Sequence, residues 1–143
     1  ITDIRGRSPG PRDYQYLSTM KILLLAGIGG FLGSIARYLT QMGMGRVMPV
    51  IFPYGTLTVN IVGSFLIGII YGMMDRNTLL SAEWRIFLAT GFCGGFTTFS
   101  TFSYETLTLF REGEYAFAGL YVGGSVVIGL VAVMAGIALI RML

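Results

Sequence analysis

Five hydroxyl side chains fall within seven consecutive positions, Thr97-Thr98-Phe99-Ser100-Thr101-Phe102-Ser103, directly behind the glycine pair Gly94-Gly95. Glycine and clustered Ser/Thr make a poor continuous helix, because glycine costs backbone entropy and hydroxyls compete for the backbone's own partners. A break here would free carbonyls and amides. Freed carbonyls suit a cation, whereas hydroxyls and a resuming helix N-terminus suit an anion. A close-packing kink is the plain structural alternative.

On a helix resuming after such a break, Phe99 and Phe102 share a face, as do Thr98, Thr101 and Glu105. Ring edges carry partial positive charge, so two of them can line an anion path without binding it hard. Ordinary core or lipid contact would use the same two residues. Upstream, Thr56, Asn60 and Ser64 recur at four-residue intervals, a polar stripe in which the Asn60 amide serves as an interhelical bond or as a donor to a permeating anion. Tyr121 and Ser125 form another pair four apart in apolar surroundings. Arg37, about 24 Å of helix beyond Lys21, can snorkel to the far interface. Glu105, about 9 Å from Arg111, can reach an interface or pair with a base.

The elements that must hold these groups are membrane spans. Of 143 residues, 54% are hydrophobic and 12% charged, and the mean hydropathy is +0.72. An ordinary soluble domain carries roughly 25% charged residues. A hydrocarbon core needs about 20 helical residues, and the chain offers four such stretches: about 21–43, 52–74, 84–110 and 115–140. Pro53 opens the second, and the third is Gly-rich and polar in its middle. The fold class is therefore all-α, four spans joined by short links, with antiparallel neighbours. Residues 1–19 read as a separate N-terminal extension outside the mechanism, a translated upstream stretch or an artificial remnant; 20–143 form the membrane domain.

Composition also removes chemistry. With no His and one Cys, the chain lacks imidazole metal sites, thiolate clusters, disulfides and His-dependent catalysis, so an enzyme is not expected. The net charge of +3 rests on ten dispersed basic residues, which argues against nucleic acid. Without the first residues, Lys21, Arg76, Arg85 and Arg141 face Arg37, Arg46 and Arg111 across the membrane, four against three. So little bias allows insertion both ways up, and hence an antiparallel homodimer; the three further Arg residues of 1–19 would instead fix one orientation. Small-residue pairs Gly29/Gly33, Gly68/Gly72, Gly91/Gly95 and Gly119/Gly123 have the spacing for close helix approach, including approach to a second subunit.

The run Gly-Phe-Cys-Gly-Gly-Phe-Thr-Thr-Phe-Ser-Thr-Phe-Ser at 91–103 closely resembles the signature of the Fluc (CrcB-like) fluoride ion channel family. Residues 33–38 (Gly-Ser-Ile-Ala-Arg-Tyr) and 55–65 are similar to that family's other motifs. The resemblance covers about 20–143. It implies a dual-topology homodimer of four-helix subunits, the third helix broken at the midplane, in a bacterial-type inner membrane, with two antiparallel fluoride pores and a central structural sodium ion. By motif position it makes Phe99 and Phe102 the pore phenylalanines and Asn60 the amide donor beside them. Thr98, Ser100, Thr101 and Glu105 become a polar track, with Tyr121 and Ser125 lining the path and Arg37 near an aqueous mouth. Gly94 and Thr97 would offer backbone carbonyls to sodium. Competing readings are a small dual-topology multidrug antiporter, disfavoured by a first span without Asp or Glu, and a noncatalytic membrane assembly subunit.

Overall fold

A computed structural model describes residues 11–49, 51–75 and 80–143, and among them every regular element is a helix. Helix α1 (Pro11–Val47) and helix α2 (Tyr54–Asp75) are continuous. Rod α3 covers 82–96 and is assembled from Ala82–Arg85, a π-helical stretch Ile86–Cys93 and a last α-helical turn Gly94–Phe96. Helix α4 (Phe99–Arg111) resumes two residues later, and α5 (Tyr115–Met142) completes the subunit.

Three of these helices are long and apolar enough to cross a membrane by themselves: Gln15–Val47, Tyr54–Asp75 and Tyr115–Met142. The third expected span is the discontinuous pair α3 and α4. The expected first boundary near Lys21 moves to Pro11. Proline suits the first helical position, and neither Gly nor Pro occurs again before Gly27, so nothing in the sequence stops the helix between them. Residues 1–10 of the expected extension lie outside the described residues, as does Arg76. Helix α2 begins just after Pro53, whose carbonyl accepts from Leu57 N–H at 3.1 Å.

Close helix contact follows the glycines. A methyl group on Gly29 would run into the Phe87 carbonyl, one on Gly33 into the Phe92 carbonyl, and one on Gly95 into the Gly30 carbonyl, so α1 and α3 touch backbone to backbone. Gly68 meets the Val133 backbone, and a methyl group on Gly72 would lie only 3.2 Å from Ile137 Cα, closing α2 on α5. Gly119 and Gly123 meet nothing within 4 Å inside the subunit. Thus three of the four small-residue pairs close seams within one copy, and the fourth does not.

The interruption falls at Thr97 and Thr98, and the glycine pair ahead of it stays helical. Gly94 has φ −63 and ψ −37, whereas Thr97 (ψ 159) and Thr98 (φ −151, ψ 120) are extended. The glycines serve close approach, and two β-branched residues, which favour extended backbone, form the joint. The π-helical stretch ahead of the joint was not legible in sequence. There Gly94 N–H reaches back five residues to the Ala89 carbonyl. A chain loop at Gly113 (φ 81) joins α4 to α5, a backbone conformation open to glycine.

Candidate functional site

The joint is held by one side chain from α2. Thr98 N–H donates to Asn60 Oδ1 at 2.8 Å, and Asn60 Nδ2 donates to the Thr98 carbonyl at 3.2 Å. In an uninterrupted helix Thr98 N–H would serve the Gly94 carbonyl four residues back. Asn60 takes its place, so the interhelical reading of Asn60 is correct as far as one of its two N–H bonds. The amide nitrogen carries a second.

Thr98 also caps α4. Its Oγ1 accepts from Thr101 N–H at 3.3 Å while donating to Thr101 Oγ1 at 3.0 Å, with Ser100 Oγ 3.4 Å away. One turn on, Glu105 departs from expectation. Its carboxylate takes two hydroxyls instead of a base: Thr56 donates to Oε1 at 2.8 Å and Tyr121 to Oε2 at 2.7 Å. A carboxylate accepting such bonds is stabilised without a cation beside it. Thr56 and the Tyr121 side chain are almost wholly buried, and Glu105 between them is half-buried.

Arg37 reaches the joint as well: its Nη1 lies 3.5 Å from the Thr97 carbonyl, which the break leaves within its reach. An ion pair of Lys21 with Glu83 at 2.6 Å ties the start of α3 to α1 on the exposed surface.

Two cavities flank the joint. One, of about 380 Å³, is lined by Asn60, Ser64, Thr98, Phe99, Phe102 and Ser125. The other, also about 380 Å³, is lined by Gln41, Gly55, Thr56, Thr101 and Glu105, among others. Of the expected residues, Asn60, Thr97, Thr98, Phe99, Phe102 and Ser125 line the first cavity and Thr101 and Glu105 the second, with Thr98 and Thr101 bridging the two by a hydrogen bond, whereas Arg37, Gly94, Ser100 and Tyr121 line neither.

Phe99 and Phe102 do share a face, with ring centroids 5.9 Å apart. Their surroundings differ. Phe102 packs on Tyr121 at 5.0 Å, whereas Phe99 is 79% exposed in the isolated subunit. Tyr121 in turn meets Phe52 edge-on at 5.6 Å. Ser125 Oγ is buried in the first cavity's wall without a partner among the described residues. Such an orphan hydroxyl marks a place where a polar guest would be welcome.

Among the described residues no group of three or more His, Cys, Asp and Glu side chains comes together, so a metal ion here would need backbone oxygens. Gly94 and Thr97 supply neutral oxygens of the hard kind an alkali cation takes. The Gly94 carbonyl fits that use, since its i+4 amide is spent on Asn60. The Thr97 carbonyl already faces Arg37.

Sequence reasoning passed over Gln41. Its Nε2 donates to Thr56 Oγ1 at 3.0 Å, making it a member of the Glu105 cluster. The available signal was an amide in an apolar span, one helical turn after Arg37.

Residues 24–137 match the family described as CrcB-like protein, Camphor Resistance (CrcB). A protein of Chlorobium chlorochromatii named fluoride-specific ion channel FluC is 52% identical over 80% of this chain and 88% of its own length. A protein of the same name from Leptospira interrogans is 50% identical over 85% of this chain and 95% of its own. Another so named, from Pyrococcus abyssi, is 48% identical over 85% and 98%.

Proposed function

This chain belongs to the CrcB-like family, and we propose that it is a fluoride-selective channel of the cell membrane, exporting the ion passively and so lowering cytoplasmic fluoride. The observation that carries the reading is the joint itself: Asn60, Thr98 and two phenylalanines converge on one cavity at the N-terminus of α4. Helix N-termini favour anions. Fluoride is small and strongly hydrated, and a pore must replace that water with donors strong enough to admit the ion and weak enough to release it. Hydroxyls, an amide and ring edges meet both demands, because none is a fixed positive charge.

Phe99 and Phe102 would meet fluoride by their edges, with Asn60 donating its second N–H. Thr98, Ser100, Thr101 and Glu105 would continue the track, and Tyr121 and Ser125 would line the path, Ser125 lending its orphan hydroxyl. Arg37 would raise anion concentration near the joint.

The working unit in this proposal is an antiparallel homodimer. Phe99, 79% exposed, would gain cover from a second copy, as would the open Gly119 and Gly123 face of α5. A sodium ion would be held by Gly94 and Thr97 carbonyls of both copies, since two oxygens alone cannot replace its water. When bound it would supply a fixed positive charge that holds the crossed joints together. Family membership speaks against the antiporter and assembly-subunit readings.

Reconstitution tests the function. Vesicles containing the pure protein and loaded with fluoride or chloride are given a potassium gradient and ionophore. Fluoride release without chloride release is expected. Tight vesicles, or equal release of both, would refute the channel.

A further inference from the structure

Gln41 stands on α1, outside the α2, α4 and α5 residues that the proposed pore uses. It is nevertheless held in place. Gly55 presents no side chain toward α1, and a methyl group there would lie 3.1 Å from Gln41 Cα, so the helix backbones come close enough for the amide to reach Thr56.

The hydrogen bonds beyond it have one direction. Gln41 Nε2 is a donor only, so the Thr56 oxygen receives its hydrogen at 3.0 Å. The single hydrogen of Thr56 is then directed to Glu105 Oε1 at 2.8 Å, while Tyr121 covers Oε2 at 2.7 Å. Both carboxylate oxygens are capped by hydroxyls, and the orientation of the Thr56 hydroxyl is set by Gln41 behind it.

We propose that Gln41 is a positioning residue of the conduction path, locking the Thr56 hydroxyl onto Glu105 so that the carboxylate stays capped while an anion passes through the cavity they share. The proposal rests on the fluoride-channel reading. A bare carboxylate oxygen facing that cavity would repel fluoride, and a Thr56 hydroxyl free to turn would bind it in place of Glu105. Gln41 prevents both. The titratable and polar groups around Glu105 are Thr56 and Tyr54 from α2, Tyr121 from α5, Gln41 from α1, and Tyr104 and Glu112 from its own helix along the adjoining cavity. Neither cavity lining includes a basic residue.

The test is a double-mutant cycle on fluoride efflux from vesicles holding the full chain. Gln41→Met, close in length and without a donor, is expected to lower flux about tenfold, the scale of one hydrogen bond in a charged network. Thr56→Val is expected to do the same, and the double variant to be no slower than Thr56→Val alone, because Gln41 acts through that hydroxyl. Unchanged flux in Gln41→Met, or losses that multiply in the double variant, would overturn the proposal. Gln41→Glu gives an independent reading if the methionine variant does not fold. An ionised carboxylate at this position can only accept, so it would draw the Thr56 hydrogen away from Glu105, whereas its protonated form can donate as Gln41 does; flux is therefore expected to be low at about pH 8 and to recover toward pH 6. A flat profile would overturn the positioning role. Unsubstituted protein that passes no fluoride would instead strike the channel reading beneath it, an outcome that the unsubstituted control separates from failure of Gln41 alone.

Discussion

The seam between α1 and α3 and the seam between α2 and α4 are closed by opposite means. In the first, Gly29, Gly33 and Gly95 bring backbone against backbone, leaving no room for water or an ion. In the second, Asn60 bonds both the amide and the carbonyl of Thr98, and Thr56 of the same helix donates its hydroxyl to Glu105. Both cavities flanking the joint include residues of this second seam. The contrast shows how a small membrane subunit divides its labour. Glycine seams supply rigidity by contact alone, since lipid gives helices no hydrophobic reason to associate, and the polar seam supplies the groups that can face an ion.

The largest effect is expected from breaking the glycine side. Gly33→Leu or Gly95→Val drives carbon into a carbonyl of the facing helix, an overpacking at the upper end of the usual range, about 3 kcal/mol. Size-exclusion chromatography after extraction should show aggregate in place of a monodisperse species. Retention of the folded species would mean that this seam is looser than its geometry.

Next comes Asn60→Leu, which leaves Thr98 N–H without its acceptor at about 1–3 kcal/mol. The thermal midpoint in detergent should fall and fluoride flux should be lost. Asn60→Asp separates the two roles, because it keeps an acceptor for Thr98 N–H but removes the amide donor. Because the bond to the Thr98 carbonyl is also lost, stability should fall, but less than in Asn60→Leu, while flux is lost as fully.

Phe102→Ile should act on conduction more than on folding. Losing the ring edge is expected to slow fluoride efflux at least about tenfold, equivalent to about 1.4 kcal/mol, with the elution volume unchanged. Unaltered flux in both Phe102→Ile and Phe99→Ile would return these rings to packing.

The smallest effect sharpens the comparison from outside. Gly119→Ala meets open space within the subunit, so a lone subunit would gain up to about 1 kcal/mol from the better helix former. If α5 packs on a second copy there, the same change weakens the dimer, seen as a rise in monomer on dilution in detergent.

Much of this was legible in the residues. Uninterrupted apolar runs set α2 and α5 to within two residues at each end, and the glycine and threonine cluster marked the interruption between α3 and α4. The detail was not legible, for physical reasons. Whether Gly94-Gly95 or Thr97-Thr98 forms the joint depends on what faces the glycines, and Gly30 on α1 is the answer. The partners of Glu105 and Arg37 are likewise tertiary. Sequence spacing measures distance along one helix, which made an interface or a nearby base the natural destination. The structure offers them hydroxyls and a carbonyl from other elements. Gln41 escaped for the same reason, since a lone amide shows nothing until its neighbour Thr56 is in place.

The central claim is that the polar seam passes fluoride and rejects other halides. Its most direct measurement is the reversal potential of current through the pure protein in a planar bilayer, under opposed gradients of fluoride and chloride. A reversal at the fluoride equilibrium potential is what the account requires. A reversal midway between the two, or no current at all, would contradict it.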